Sequence, residues 1–146
     1  LKLQQLERAF KTDPSAQNLN EYCNFLGEYL GSGLAEGRVA QIQRQQYARL
    51  LARRCEREDT LELRIRYATA LADVGQIDEA RAVTDQLVLD VPEEQEVWML
   101  CLRLAVMRRD GDEVHRVIDA IDKQRVYLSA ANREELAFWR NGEESR

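Results

Sequence analysis

The side chains best suited to nucleophilic or metal chemistry are one histidine and three cysteines. His115 is the sole histidine among 146 residues, which excludes any metal site built on two histidines. A dyad of Cys101 and His115 on adjacent helices is conceivable, but no motif supplies the third group that would orient the histidine. We therefore expect His115 to face solvent, and we predict neither a catalytic residue nor a metal ligand.

The cysteines are predicted to pack rather than to react. Cys23, Cys55 and Cys101 are an odd number at wide spacings, with no C-x-x-C motif, so a disulfide framework is not expected. Each lies among apolar neighbours of a predicted helix, where a free cysteine behaves as a small hydrophobic residue. This usage favours a reducing compartment.

The acidic run "DGDE", residues 110–113, is similar to the opening of a calcium-binding loop. That loop needs oxygen ligands through its twelfth residue, and counting from Asp110 places Val114 and Ile121 at ligand positions. We interpret the run as a helix start, in which Asp110 or Asp112 caps the first amides. Glycine-rich phosphate loops and nucleophile elbows are also missing, so neither an enzyme nor a cofactor site is predicted.

One charge pattern could bind an anionic partner. Arg49, Arg53 and Arg57 lie four residues apart on one helix face, with Arg54 beside them. This basic face could receive an acidic protein segment, anionic lipid or phosphate. The open alternative is a solvated face that is partly neutralised by neighbouring acids, namely Glu56, Glu58 and Asp59.

The overall charge gives no general attraction to nucleic acid. The chain has 26 acidic and 21 basic residues and a net charge of -5. No apolar run is long enough to span a membrane. The chain begins at Leu1 rather than methionine, so we expect a segment of a longer protein. We expect this segment to be cytoplasmic, and an anchor upstream of it would make it membrane-associated.

Helical periodicity dominates the sequence. Apolar residues recur at spacings of three and four, alternating strand patterns are missing, and only Pro14 and Pro92 interrupt the chain as prolines, so we predict an all-α fold. From Thr60, one helix is marked by apolar or small residues, namely Leu63, Tyr67, Ala70, Leu71 and Val74. Gly75 ends that helix, a second helix begins near Ile77, and Pro92 ends the pair.

The segment after Pro92 repeats the same plan. Its first helix is lined by Val97, Trp98, Cys101, Leu102, Ala105 and Val106, and its second by Val114, Val117, Ile118 and Ile121. The tripeptides "DEA", residues 78–80, and "DEV", residues 112–114, lie 34 residues apart. This period is typical of one class of helix-hairpin array.

On these residues the chain resembles the tetratricopeptide repeat family, best over residues 61–124. The positions that carry the resemblance are Ala68, Gly75, Ala80 and Pro92 in one unit and Trp98 with the aligned "DEV" in the next. The second turn differs, since it carries Arg109 and its glycine is displaced to Gly111. The resemblance implies a right-handed superhelix of stacked antiparallel hairpins, closed by a C-terminal capping helix.

We predict a single domain over residues 1–146. Its parts are the end of a preceding helix (1–13), a divergent hairpin (16–57), two repeats (60–91 and 94–124), a capping helix (129–140) and a frayed tail (141–146). Ser129 is expected to cap the last helix, and Leu136 and Trp139 are expected to face inward.

The resemblance also implies a concave groove lined by the first helix of each hairpin. The groove residues would be Glu62, Ile65, Thr69, Asp73, Glu96, Met99, Arg103 and Met107, with Ala72 and Val106 beside them. Family members that clamp chaperone tails use lysine, asparagine and arginine where this chain has Ile65, Thr69, Leu100 and Glu96, so that clamp is not predicted. We expect an apolar or mixed surface in which Arg103 pairs with an acid. The alternative is that the methionines only fill the interior.

The predicted function is therefore a non-enzymatic protein-interaction scaffold that takes another protein or peptide segment in its groove. In its arginine-rich, lysine-poor composition and its short divergent array, the chain resembles tetratricopeptide modules of bacterial envelope, secretion or exopolysaccharide assembly complexes. The second reading is an adaptor whose basic face, Arg49, Arg53 and Arg57, binds an acidic partner, anionic lipid or nucleic acid. The oligomeric state is left open.

Overall fold

The chain is helical throughout the part that the structure describes. In this computed structural model, residues 2–144 are described, with side chains through residue 142, and within them lie eight α-helices and no strand. The prediction of an all-α fold is confirmed. The helices are α1 (Lys2–Thr12), α2 (Ala16–Gly31), α3 (Gly37–Arg57), α4 (Leu61–Asp73), α5 (Ile77–Asp90), α6 (Gln95–Met107), α7 (Gly111–Gln124) and α8 (Ala130–Glu144).

The helices form two compact units. The first unit ends at Gly75 and holds α1 to α4, whereas the second begins at Gln76 and holds α5 to α8. The boundary falls inside the predicted 60–91 repeat. The single domain and the right-handed superhelix of the sequence analysis stay predictions.

Short polar side chains start several of the helices, and those at Asp110 and Ser129 were predicted from the sequence. Ser15 accepts a hydrogen bond from the amide of Asn18 at 3.2 Å, and Thr60 accepts one from the amide of Leu63 at 3.3 Å. Asp110 Oδ1 accepts from the amide of Glu113 at 3.1 Å, which confirms the interpretation of the acidic run as a helix start. Ser129 caps α8 in the same way. Each cap satisfies an amide that has no partner within its own helix.

In the first unit, each helix packs on the next one along the chain. The core consists of Phe10, Leu19, Tyr22, Cys23, Leu26, Ala48, Leu50, Leu51, Leu63 and Ala70, which come from all four helices. Aspartate and proline at positions 13 and 14 end α1, as predicted. Burial of these apolar side chains is the main force that holds the four helices together.

In the second unit, α6 is the central helix. It packs on α5 and α7, and α7 packs on α8. Arg108 at the end of α6 pairs with Asp78 at the start of α5 across 3.2 Å, so these two helices are antiparallel. The core contains Trp98, Leu102, Ala105, Val114, Val117, Ile118, Ile121, Leu128 and Leu136. Trp139 is half-buried against this core, so Leu136 and Trp139 of α8 both face inward, as predicted.

The 34-residue period is present in the helix boundaries. Helix α4 spans residues 61–73 and α6 spans 95–107, so both ends are displaced by 34 residues. Helices α5 (77–90) and α7 (111–124) show the same displacement. The turns also match: Gly75 donates its amide hydrogen to the carbonyl of Ala72, and Arg109 donates to that of Val106, both at 3.0 Å. The sequence repeat is therefore a repeat of backbone conformation.

Candidate interaction surfaces

The groove residues predicted on α4 lie at or near the surface of the first unit. Glu62 and Asp73 are exposed, and Ile65 and Thr69 are half-buried. The Thr69 hydroxyl donates to the carbonyl of Ile65 at 2.9 Å, so its donor is used within the helix. The Glu62 carboxylate forms an ion pair with Arg66, one turn further along α4, across 2.9 Å. This face is mixed in character, with a charged edge beside a short apolar strip.

The groove residues predicted on α6 divide into two groups. Glu96 and Arg103 are exposed, and Met107 is 42% exposed at the end of the helix. Met99 is half-buried and packs against the core of the second unit. Met99 thus fills space in the way the alternative interpretation predicts, whereas Met107 presents its side chain to solvent.

A polar cleft of about 430 Å³ opens in the first unit between α2 and α4. It is lined by Asn24, Gly27, Glu28, Tyr47 and Arg66, with Tyr47 contributed by α3. A methyl group at Gly27 would lie 2.8 Å from the Tyr47 hydroxyl oxygen, so only glycine lets the ring approach the α2 backbone this closely. Burial raises the pKa of the Tyr47 hydroxyl, which therefore remains a hydrogen-bond donor at neutral pH.

Two arginines converge on one amide beside this cleft. Arg54 Nη1 donates to Asn24 Oδ1 at 2.7 Å, and Arg66 Nη1 reaches the same oxygen at 3.5 Å. Arg54 is 8% exposed, and its Nε–H finds no hydrogen-bond partner within the described residues. Since the Asn24 amide is neutral, this contact orients the Arg54 guanidinium without neutralising its charge. Burial raises the pKa of the neighbouring Cys23 thiol, and Arg54 opposes that effect.

The predicted basic face makes structural contacts in the first unit. The Arg53 guanidinium lies 5.1 Å from the centre of the Phe10 ring, and Arg57 donates to the carbonyl of Pro14 at 3.5 Å. Arg49 is exposed. Arg54, which the sequence analysis placed beside this face, is buried instead. Two of the three face residues thus help to attach α3 to α1 and to the turn after α1.

A second, more apolar cavity of about 180 Å³ lies in the second unit among α5, α6 and α7. The uncharged part of its lining is predominantly apolar and consists of Thr84, Val88, Trp98, Cys101, Leu104, Ala105, Val117 and Ala120. The Trp98 indole donates to the carbonyl of Pro92 at 2.7 Å, which fixes the ring. The Thr84 hydroxyl donates to the carbonyl of Arg81 at 3.0 Å. Both donors are already hydrogen-bonded within the unit, so the interior of the cavity offers mainly apolar surface.

Charged side chains also line this cavity. Arg81 on α5 pairs with Glu113 on α7 across 3.2 Å, and Arg116 pairs with the same carboxylate. Asp85 and Arg108 complete the charged lining. Burial raises the pKa of the Cys101 thiol from 9.0 to about 11, a hydrogen bond with Thr84 opposes that rise, and the carboxylates of Asp85 and Glu113 add to it. The thiol therefore stays protonated at neutral pH and is a poor nucleophile.

The residues considered for catalysis are placed separately. His115 is exposed on α7, as predicted, while Cys101 lines the cavity with its thiol protonated. All three cysteines are free thiols. Over the described ranges, no group of three or more histidine, cysteine, aspartate or glutamate side chains is arranged to hold a metal ion.

Sequence reasoning predicted neither cavity, although it named Trp98, Cys101, Ala105 and Val117 as helix-lining residues. Asn24, Glu28 and Tyr47 lie in the predicted divergent hairpin (16–57), and Arg66 lies one position from the predicted face residue Ile65. The second cavity depends on Ala105 and Ala120, whose small size leaves space that helical periodicity does not reveal. The sequence signal that bears on such a cavity is the presence of small residues opposite large ones on helices that face each other.

Comparison with protein-family models, with curated proteins and with solved structures yields no match for this chain. Within residues 2–144, no helix combines the length and the apolar composition needed to cross a membrane. By its fold the chain belongs to the all-α class of proteins. Within each unit, consecutive helices pack on one another. Its membership of the tetratricopeptide repeat family stays a prediction.

Proposed function

We propose that this chain is a non-enzymatic interaction module that docks a segment of another protein. The observation that carries the proposal is the cleft of the first unit, where α2 and α4 flank an open space of about 430 Å³. The α4 face predicted from the sequence borders this cleft, because Glu62 pairs with the lining residue Arg66. A protein segment laid along α4 would therefore reach both the mixed face and the polar cleft.

The chemistry of the cleft favours a segment with both polar and charged groups. Arg66, Asn24 and the Tyr47 hydroxyl can donate hydrogen bonds, while Glu28 is exposed and can accept them. The half-buried Ile65 adds apolar contact on α4. Recognition by a few polar groups around a small apolar contact is typical of peptide-binding surfaces.

The second unit supplies a comparable face of its own. Met107 and Arg103 are exposed on α6, and the flexible methionine side chain adapts to partner surfaces of different shape. The 34-residue displacement of the helix boundaries supports a repeat architecture, and such arrays bind protein segments along their first helices. A place in a bacterial envelope, secretion or exopolysaccharide assembly complex stays a prediction.

The test is selection of binding peptides from a displayed random twelve-residue library, followed by mapping with backbone amide shifts. We expect the selected peptides to shift amides of α2 and α4, and Arg66→Glu to weaken binding at least about tenfold, the effect of losing one charge-assisted hydrogen bond. Arg38→Glu is the matched control, since Arg38 is exposed at the start of α3 and does not line the cleft.

The proposal is overturned if Arg66→Glu, shown by circular dichroism to be folded, binds the selected peptides as tightly as the wild type and no shift falls on α2, α4 or α6. The exposed α6 face is tested in the same titrations with Met107→Glu. A loss confined to Met107→Glu would move the docking surface to the second unit.

A further inference from the structure

The cavity of the second unit lies on a different face of α6 from the predicted groove. Its α6 lining consists of Trp98, Cys101, Leu104 and Ala105, and Arg108, the residue that follows α6, continues the same stripe. The groove residues of α6, including Met99 and Arg103, occupy other positions around the same helix. On a helix of 3.6 residues per turn these are two separate stripes.

We propose that this cavity is a second docking site, which takes one large apolar side chain from a protein segment that carries an acidic residue beside it. This inference is independent of the cleft in the first unit.

The apolar part of the proposal rests on the lining and on the size of the space. Val88, Trp98, Val117 and Ala120 present carbon surface, and the Cys101 thiol is protonated and weakly polar. A fully apolar cavity of about 150 Å³ holds a benzene molecule, which sets the scale for one side chain. The volume here, about 180 Å³, therefore suits one leucine, methionine or phenylalanine side chain.

The same volume argues for a protein segment as the occupant. Pockets that bind drug-sized molecules measure about 300–1,000 Å³ and bury most of the ligand. A free ligand of that size would leave most of its surface outside this cavity. A protein segment anchors one side chain and gains the rest of its contact area from neighbouring residues, as at interface hot spots.

The acidic neighbour follows from the charged residues in the lining. The lining contains three arginines, Arg81, Arg108 and Arg116, and two carboxylates, Asp85 and Glu113, although the whole chain carries a net charge of -5. Within the lining the arginines therefore exceed the carboxylates by one, and Asp78, which pairs with Arg108, lies outside the lining. A partner carboxylate would complement this excess.

Two arginines are exposed enough to receive that carboxylate. The side chain of Arg116 is 68% exposed, so much of its guanidinium faces solvent beyond the pair with Glu113. Arg108 pairs with Asp78, whose side chain is 90% exposed, and such a pair is weak because water screens it. Exchange of Asp78 for a partner carboxylate therefore has a small cost.

The experiment is a titration of the isotope-labelled chain, observed through its backbone amides, with ten-residue serine-glycine peptides that carry a central Glu-Phe pair. We expect shifts confined to α5, α6 and α7. Replacing the peptide phenylalanine by alanine should weaken binding at least about tenfold, as expected for one buried aromatic side chain. Replacing its glutamate by lysine should weaken binding about threefold or more. N-acetyl-phenylalanine alone should bind more weakly than the peptide.

Variants of the chain locate the site. Ala120→Leu fills the cavity from α7 and should abolish binding, while Ala82→Leu, the same change at an exposed position of α5, should not. Arg116→Glu should weaken binding, and Lys123→Glu on the same helix should leave it unchanged. Circular dichroism establishes that each variant is folded, and Arg116→Glu serves where Ala120→Leu does not fold.

Three results would each overturn the inference. The first is that folded Ala120→Leu or Arg116→Glu binds the peptide as tightly as the wild type. The second is that the peptide shifts backbone amides outside α5, α6 and α7. The third is binding of N-acetyl-phenylalanine as tight as that of the peptide, which would indicate a small-molecule pocket. Arg66→Glu separates this inference from the proposed function, because it lies in the other unit and should not change binding of these peptides.

Discussion

Arg54 Nη1 donates a hydrogen bond of 2.7 Å to Asn24 Oδ1, and this bond joins α3 to α2 inside the first unit. The guanidinium is almost fully buried, and the amide oxygen is the acceptor that orients it. Because a buried charge is costly when its hydrogen bonds are lost, the stability of this unit depends on Asn24 more than on an ordinary exposed asparagine.

We predict that Asn24→Ala lowers the free energy of unfolding by about 2 kcal/mol, the typical loss when a hydrogen bond to a buried charge is removed. Arg54→Met in the Asn24→Ala background should recover most of that loss, because the apolar side chain needs no acceptor. Urea denaturation of the two single variants and the double variant measures the coupling. Equal and additive losses would contradict the prediction.

The turn after α6 carries an arginine in a backbone conformation that favours glycine. Arg109 has φ +55°, and Gly75, at the matching position 34 residues earlier, has φ +81°. A side chain in the left-handed region costs about 1–2 kcal/mol. Arg109→Gly should therefore raise the free energy of unfolding by about 1 kcal/mol. The control is Arg108→Gly, since Arg108 has φ -77° and gains nothing from glycine. Equal effects of the two changes in chemical denaturation would exclude strain at Arg109.

The start of α7 depends on one aspartate of the acidic run. Asp110 caps the helix through the amide of Glu113, whereas Asp112 lies within the first turn. We expect Asp110→Ala to cost about 1 kcal/mol and Asp112→Ala less than about half of that. Thermal melts of both variants, with and without millimolar calcium, measure this. A calcium-dependent rise in melting temperature that Asp110→Ala removes would favour a calcium loop over a helix cap.

The stability of the chain should fall at alkaline pH. The pKa of Cys101 is raised from 9.0 to about 11, so between these values the unfolded chain loses the thiol proton and the folded chain keeps it. The thiol's contribution to folding is complete below pH 9.0 and is lost as pH approaches about 11. Denaturation at pH 7, 9 and 10.5 should show this decline, and Cys101→Val should reduce its slope.

Other buried groups contribute to the same alkaline decline. Burial also raises the pKa of Cys23, Cys55, Tyr22 and Tyr47, so Cys101→Val should reduce the slope without abolishing it. An identical slope in wild type and variant would show that the Cys101 thiol titrates alike in the folded and unfolded chains.

Helix positions followed from local pattern because their signals are local. Thr60, Gly75 and Asp110 each act within about one turn of their own position, through a cap or a turn conformation, and the structure places helix ends beside all three. The 34-residue spacing in the sequence reappears in both ends of α4 and α6. The end of the last helix was predicted less well, since α8 continues to Glu144 and the predicted end was residue 140. Residues 145–146 of the predicted tail lie outside the described part.

Surface chemistry could be predicted only in part, because it depends on distant neighbours. Periodicity placed Arg54 beside three other arginines, yet packing of α3 on α2 buries it against Asn24, 30 residues away in sequence. Arg53 and Arg57 likewise contact α1 and the turn after it. Spacing along one helix shows which side chains share a face, and it does not show what that face meets.

The sequence by itself determined that the chain is helical, where most of its helices begin, and that a 34-residue unit recurs, because these properties arise from interactions within a few residues. Only the tertiary structure decided that Asn24, Tyr47 and Arg66 share one cleft and that Ala105 and Ala120 leave a cavity beside Trp98. A cavity is the volume left after separate helices have packed, so it depends on all of their side chains together and on no single segment.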